Sequence, residues 1–505
     1  MELRLHRTFD QGRFVVPNGH VPRTPLQTVK AIYQRVKRSG GVSTSLSSLE
    51  EGDVFFALPV YCPESRLKRM VWAVWGTFEL YSPSLLKRLC VFFAFGSDRF
   101  SRLADQPLNG NVMAPAAIEK GASVAVVDSY RFRGPEYIYT PNVEHAFLNT
   151  ATYHRNQHDI ECIAITGSCG KTTTKELIAA VAACKLETSS THGNYNTIRG
   201  VAHTLFDIDS QTQVAVVEIS STGKNTIALK SEVVNPTAGV ITNIGKAHLE
   251  GFGSVGGVLR EKSRLFNFLQ AKGGVFFANL DDPHIESLPG IDECFWSYGE
   301  NAMARIRGCV LECGPFVRVR CSTVDFGDPL DEDQSFDVQT QMFGAYNLSN
   351  VLAAVAVGRY LGIDNESIKA AIEGYVPSNN RSQVVRRDGA TYIVDAYNAN
   401  PTSMHAALDS FARIHGEKKV VILGDMLELG GSSQKEHRDV VRKLGQMDLT
   451  FVALVGAEFS KCASGRGYLL FSSSEEVRSW MSTQDFDGSS VLIKGSNSMG
   501  LELLL

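Results

Sequence analysis

Apolar residues along the chain gather in short, largely β-branched runs, and the stretches between several of them carry their apolar positions at helical spacing. From about residue 155 the runs IECIAITG, VAVVEIS, AGVITNIG and GGVFFANLDD read as strands, and KELIAAVAAC after the first of them reads as a helix. Strand and helix alternating in this way predict a mostly parallel sheet with helices on both faces. The alternation returns near the end of the chain in ATYIVDAY, KKVVILGD, FVALVG and SVLIKG. Ahead of both, a helical stretch PLQTVKAIYQRVKRSG leads to the strands GDVFFAL and ASVAVVD, a smaller α/β unit. The helix NLSNVLAAVAVGRYLGI stops at Gly362, and GYVPSNNRSQ, rich in Pro, Asn and Ser, reads as a linker. CVLECGPFVRVRC alternates like a hairpin turning at Gly314-Pro315.

The pattern therefore predicts an α/β protein of three domains: residues 26–154, 155–376 and 377–505, after an extension over 1–25. Residues 59–107, in which VFFAL and VFFAF nearly repeat, show no period that assigns them and are read as an insertion in the first domain or an error in the gene model. Length agrees with this division, since 505 residues exceed one hydrophobic core and make roughly three domains at about 150 residues each.

Composition narrows the partners. With 44% apolar and 21% charged residues and a net charge of −4, the chain has no basic field for nucleic acid, and small molecules are the expected partners of what is read as a monomer. Ten scattered cysteines without a C-x-x-C pair favour a reduced compartment, here the cytoplasm, over a disulfide framework. Cys309, Cys313 and Cys321 lie in the predicted hairpin and are read as strand residues rather than zinc ligands. No apolar stretch approaches the ~20 residues of a membrane span. The first 25 residues carry Arg4, Arg7, Arg13 and Arg23 against Glu2 and Asp10, a faint transit-like pattern without an apolar signal region.

The candidate chemistry begins at ITGSCGKTTTK, residues 165–175. A glycine-bounded loop between a buried strand and a helix start aims backbone N–H groups at one point, where the helix dipole adds positive charge. Gly167, Ser168, Cys169, Gly170, Lys171, Thr172 and Thr173 would cradle a nucleotide's phosphates, with Lys171 reaching the terminal ones and the Thr172 hydroxyl on Mg2+. The loop is shorter than the common G-x-x-x-x-G-K-[ST] form, and a plain turn with a solvated Lys171 is the competing reading. Glu218 and His248 follow strand runs, so both should emerge at the carboxyl edge of the sheet, where a metal bridging phosphates finds ligands. Singly, each also reads as a solvated strand end or loop residue.

Taken together, TGSCGKTTTKE, GNYN, VVE, ITNIGKAHLEGFGS, NLDDP, GAYNLSNVLAA, NNRSQ, DAYNANPTSM, LGDMLELG and KGSNSM resemble, in this order, the Mur ligases, over about residues 26–58 and 108–503. DAYNANPTSM and LGDMLELG point to the branch that adds D-alanyl-D-alanine. The resemblance implies an N-terminal domain for the UDP-N-acetylmuramoyl tripeptide, a central ATPase domain and a Rossmann-like C-terminal ligase domain. It also implies an ADP-forming amide ligation through an acyl phosphate, serving peptidoglycan synthesis. By the same resemblance Lys171 and Thr172 hold phosphates and a first Mg2+, Glu218 binds that metal and His248 a second. Lys262 matches a lysine that is carbamylated in the family, Asn279 an adenine contact, and Arg381 and Asp395 residues that reach the nucleotide from the linker and third domain, so that domain closure completes the site.

Departures from the family pattern cluster on the substrate side. Ser45-Leu46-Ser47 stands where an Asp-Thr/Ser-Arg triplet is usual, Thr197 replaces an asparagine, STGKNTI lacks a Gly-Glu pair, Arg264 replaces a glutamate and Tyr346 a histidine. Three functions stay open on these grounds: the cell-wall ligase, a related ligase with another acceptor or a folate-polyglutamate type relative with the same ATP core, and a degenerate homologue that binds nucleotide or a partner without catalysis.

Overall fold

The computed structural model describes residues 24–58, 110–221, 223–323, 334–378, 380–414 and 418–505. The insertion read at 59–107 and the extension up to residue 23 lie outside the described residues. The chain divides into one compact unit of residues 20–157 and another from His158 onward.

The first unit holds a four-stranded parallel sheet in the order β1 (Val42–Ser43), β2 (Val54–Phe56), β3 (Val124–Val127), β4 (Tyr137–Tyr139). Every residue of β2 and β3 is buried, which is why their runs are continuously apolar. Phe55, Ala125 and Val127 form a core with Ala114 and Ala117 of helix Ala114–Glu119, while Phe56 meets Phe147 of helix Val143–Arg155 edge-on at 5.1 Å.

The second unit contains two sheets. Its nine-stranded sheet has the order β13 (Gln334–Gln339), β12 (Val317–Thr323), β11 (Ile306–Cys313), β10 (Ser297–Gly299), β9 (Val275–Asn279), β8 (Ala238–Ile241), β5 (Glu161–Thr166), β7 (Val214–Glu218), β6 (Thr188–Ser190). Pairing is parallel from β6 to β11 and antiparallel from β11 to β13. The chain leaves β5 first toward β6 and β7 and then returns to its other side at β8, so β5 sits where the strand order reverses, the place where ligands bind in open α/β sheets. Helix Asn347–Tyr360 is buried almost all round, from Leu348 through Gly358, between helix Lys171–Ala183 and strands β9 to β12, which explains its lack of a polar face.

The six-stranded sheet runs β14 (Gln383–Arg387), β15 (Ala390–Asp395), β19 (Ser489–Lys494), β16 (Lys418–Gly424), β17 (Phe451–Val455), β18 (Leu469–Phe471), parallel except for the β14–β15 hairpin. Alternate residues of one strand feed opposite cores: Val421 and Leu423 pack with Met404 and Phe411, whereas Val420 and Ile422 pack with Val477 and Leu501. The predicted α/β fold with mostly parallel sheets is thus what the chain adopts, and the predicted hairpin pairs Cys313 with Val317 across Gly314-Pro315.

Candidate functional site

The carboxyl end of β5 runs straight into the phosphate-type loop. Gly167 has φ 150° and Gly170 φ 77°, and a Cβ at Gly167 would lie 1.8 Å from Thr242 Oγ1, so no other residue fits there. Ser168 and Cys169 differ from the rest of the loop in how their amides bond. Their amides are spent inside the protein, on the backbone O (2.9 Å) and Oδ1 (2.9 Å) of Asn243, because the neighbouring β8 loop lies alongside. The first intrahelical bond is Thr174 N to Gly170 O at 2.8 Å, which leaves the amides of Gly170, Lys171, Thr172 and Thr173 without intrahelical partners, a ready anion cradle. Lys171 curls back on this loop, donating from Nζ to Gly167 O (2.8 Å) and Ser168 O (3.3 Å). Desolvation pushes its pKa down and the nearby Arg381 guanidinium pushes the same way, while Glu218 and Cys169 oppose the shift.

Glu218 ends β7 beside the loop, 1% exposed. Its Oε2 accepts from Thr172 Oγ1 at 2.8 Å and its Oε1 from Asn196 Nδ2 at 2.7 Å. Asn196 is fixed in turn, since Ser220 Oγ donates to its Oδ1 at 2.8 Å and Lys230 Nζ donates to its backbone O at 2.6 Å. The buried Lys230 is pushed down to about 8, chiefly by desolvation, with Lys171 adding to it and Glu218 and Glu261 resisting. Lys262, 1% exposed on helix Val255–Lys272, is held well below the ordinary lysine range by desolvation, again with Lys171 and Lys230 near it. Its neighbour Glu261 accepts from the amides of Asn225 (2.7 Å) and Ile227 (2.8 Å) and from Arg264 Nε (3.2 Å). Position 264 thus carries a cation paired with a carboxylate one turn earlier on the same helix.

His248 is not brought to Thr172 and Glu218 in this way. Its Nδ1 is paired with the Glu428 carboxylate from the loop after β16, and Glu250 N donates to Glu428 O at 3.1 Å. Among the described residues no group of three or more His, Cys, Asp or Glu side chains could by itself hold a metal. Asn279 is likewise engaged: its Nδ2 donates to Thr242 O (2.8 Å) and Ser349 Oγ (3.1 Å), and its Oδ1 accepts from Asp281 N (3.1 Å). Arg381 lies over the Tyr397 ring at 3.6 Å with its Nε buried and unpartnered. Asp395 accepts from Lys494 Nζ at 2.5 Å and Ser382 N at 3.2 Å.

The six-stranded sheet meets the phosphate loop directly, because Asn400, which caps helix Pro401–Ala412, lies with its side-chain amide 3.3 Å from Cys169 Sγ. Lys246 N donates to Thr402 Oγ1 at 3.0 Å and Lys246 Nζ to Glu436 at 2.8 Å. A polar chain also links the two sheets, from Thr174 Oγ1 to Asn350 Oδ1 (2.9 Å), Asn350 Nδ2 to Asn347 Oδ1 (2.7 Å), Asn347 Nδ2 to Ser382 Oγ (3.1 Å) and so to Asp395. Reading the sequence did not single out Asn196, Lys230, Asn400 or Lys494. Each lay inside or beside a quoted motif, but nothing in spacing alone tells which side chains meet.

The chain matches the Mur ligase middle domain over residues 165–358 and the Mur ligase glutamate ligase domain over residues 380–497. It belongs to the Mur ligase family. Within that family it is 30% identical over 346 residues to the UDP-N-acetylmuramoyl-tripeptide--D-alanyl-D-alanine ligase of Bacillus subtilis, covering 67% of this chain and 73% of the relative. Its fold superposes on MurF from Acinetobacter baumannii with a TM-score of 0.74 at 25% identity, over 95% of this chain and 97% of that one. MurF from Thermotoga maritima, solved with ADP, has the same fold at a TM-score of 0.73 and 20% identity, over 94% and 96% of the two chains.

Proposed function

We propose that the chain is an ATP-dependent ligase that joins D-alanyl-D-alanine to UDP-N-acetylmuramoyl tripeptide, forming ADP and phosphate. The observation that carries this reading is the convergence of Lys171, the Gly170–Thr173 amides and the Thr172–Glu218 pair at the point where the sheet order reverses. Its Bacillus relative bears that activity in its name, and ADP is bound by the Thermotoga protein of like fold.

In the proposed reaction a carboxylate oxygen of the tripeptide attacks the γ-phosphorus and ADP leaves. The dipeptide amine then attacks the acyl carbon, phosphate departs with that oxygen, and the amine gives up a proton. Such chemistry asks the protein for alignment and charge neutralisation rather than a covalent nucleophile. Lys171 would exchange its own loop carbonyls for phosphate oxygens, and the Gly170–Thr173 amides would fix the phosphate chain. One hydroxyl and one carboxylate, Thr172 and Glu218, suit Mg2+, which takes much of its shell from phosphates and water and would neutralise charge between them. His248 would reach a second ion only on leaving Glu428. Lys262, an amine whose burial favours its neutral form, has the character needed to add carbon dioxide as a carbamate.

Arg381 and Asp395 would close over the nucleotide from residues 377–505, with 155–376 holding ATP and 26–154 the muramoyl peptide. The site would lie in the cytoplasm, where both substrates are small molecules.

One observation favours a second reading in which the acceptor differs. In the first unit Ser45 Oγ and Ser47 Oγ bond each other at 2.6 Å, and Ser47 N donates back to Ser45 Oγ at 3.2 Å, so these hydroxyls satisfy one another, while Lys120 Nζ reaches the loop at Leu46 O. An ADP-release assay with candidate UDP-muramoyl tripeptides and D-alanyl-D-alanine separates the two. Release that requires both substrates supports the cell-wall ligase, and release with a different carboxylate or amine supports the other acceptor. ATP binding without release under any pairing would leave the degenerate homologue.

A further inference from the structure

Lys230 has no place in the chemistry above, yet it is 3% exposed, and a buried ammonium needs partners that justify its desolvation. Of its three donors, one meets Asn196 O at 2.6 Å and a second meets Ser220 O; Ser220 Oγ stands 3.5 Å from the same nitrogen. Those two residues are the ones that govern the Glu218 carboxylate. Ser220 follows Glu218 by two positions, and Asn196 donates to Glu218 Oε1 at 2.7 Å. A carboxylate only accepts, so the Asn196 face toward Glu218 must be the NH2, and its carbonyl face receives the Ser220 hydroxyl at 2.8 Å.

We propose that Lys230 is a positioning residue for the metal-binding carboxylate. By clamping the backbone carbonyls of Asn196 and Ser220 it holds the Asn196 amide against Glu218, and through Glu218 it holds the Thr172 hydroxyl at the phosphate loop. Direct contact of Lys230 with phosphate is not the better reading, because the carbonyls it holds belong to Asn196 and Ser220 beside Glu218, whereas those held by Lys171 belong to the phosphate loop itself. Its own helix is anchored too: Thr226–Val234 begins at amides capped by Glu261, so the clamp is set from helix Val255–Lys272. This inference rests on the reading of Thr172 and Glu218 as the Mg2+ ligands.

The test is calorimetric titration with ADP, with and without Mg2+, whose ratio of dissociation constants reports the metal site rather than the amide cradle. Lys230→Met keeps most of the stem and removes the donors. It should cut the Mg2+ enhancement about tenfold or more, as loss of residues supporting metal ligands does, and leave metal-free ADP affinity within about twofold. Ser220→Ala, which frees the Asn196 amide while Lys230 stays charged, should reproduce part of that loss, and it carries the test if Lys230→Met fails to fold. The two changes together should be less than additive. Wild-type Mg2+ enhancement in the folded variants would overturn the role of Lys230 alone. A wild-type protein whose ADP affinity ignores Mg2+ would overturn the metal reading and this proposal with it.

Discussion

The phosphate loop and the Ser45–Ser47 loop both follow a strand of a parallel sheet, and they are built in opposite ways. Lys171 itself bonds carbonyls of its own loop, but the polar groups behind it bond across elements apart in sequence: Thr172 to Glu218, Asn196 to Glu218, Lys230 to Asn196. Around Ser45 the hydroxyls bond one another within a few residues of chain, and the contacts between Ser45 and Ser47 are exposed. A carboxylate and hydroxyl oriented by distant neighbours are prepared for a ligand, whereas hydroxyls satisfied only by one another must break those bonds to take one. The difference predicts intact nucleotide chemistry beside a weakened grip on the uridine end of the substrate.

Removing charge from the prepared side should have the largest effect. Lys171→Ala should cost roughly 3 kcal/mol or more of transition-state stabilisation, about a hundredfold in turnover, as for other preorganised charge donors. Steady-state ADP release measures it, and an unchanged rate would make Lys171 a mere loop cap. A similar cost, read as stability, is expected where the third sheet supports the site. Lys494→Met strands the Asp395 carboxylate and should lower unfolding free energy by about 3 kcal/mol, seen as a shifted urea midpoint at constant slope.

The Ser45–Ser47 loop should respond in the other direction. Ser45→Asp with Ser47→Arg restores a charge-assisted contact worth about 1.5–3 kcal/mol, so UDP-muramoyl peptide should bind about tenfold to a hundredfold more tightly, with ADP affinity unmoved. Calorimetry of both ligands decides this, and tight binding by the unaltered chain would erase the contrast between the loops.

The last effect is on pH. Lys230 titrates near 8 in the fold against an ordinary 10.5, so between those values the unfolded chain binds the additional proton. Stability of the wild type relative to Lys230→Met should therefore be flat below pH 8 and rise from there toward 10.5. Denaturant midpoints of the two proteins across that range show it.

What the sequence disclosed follows the same divide. The loop at 167–173 was legible because its chemistry is written in consecutive residues, and the sheets because β5, β7 and β8 are buried on both faces and so continuously apolar. The carboxylate's supports were not, since Asn196, Ser220 and Lys230 come from separate elements that only strand order brings together. Spacing also could not show that Asn243 takes the amides of Ser168 and Cys169, or that Glu428 engages His248. Those partners sit 74 and 180 residues away in the chain.

The most direct measurement follows one oxygen. If the tripeptide carboxylate is labelled with 18O and incubated with ATP, Mg2+ and D-alanyl-D-alanine, activation as an acyl phosphate must move one labelled oxygen into each inorganic phosphate released. Mass spectrometry of that phosphate should find the label in step with the ADP formed. Unlabelled phosphate alongside ADP would mean that water, and not the peptide carboxylate, attacks the γ-phosphorus, and the chain would then be an ATPase rather than a ligase.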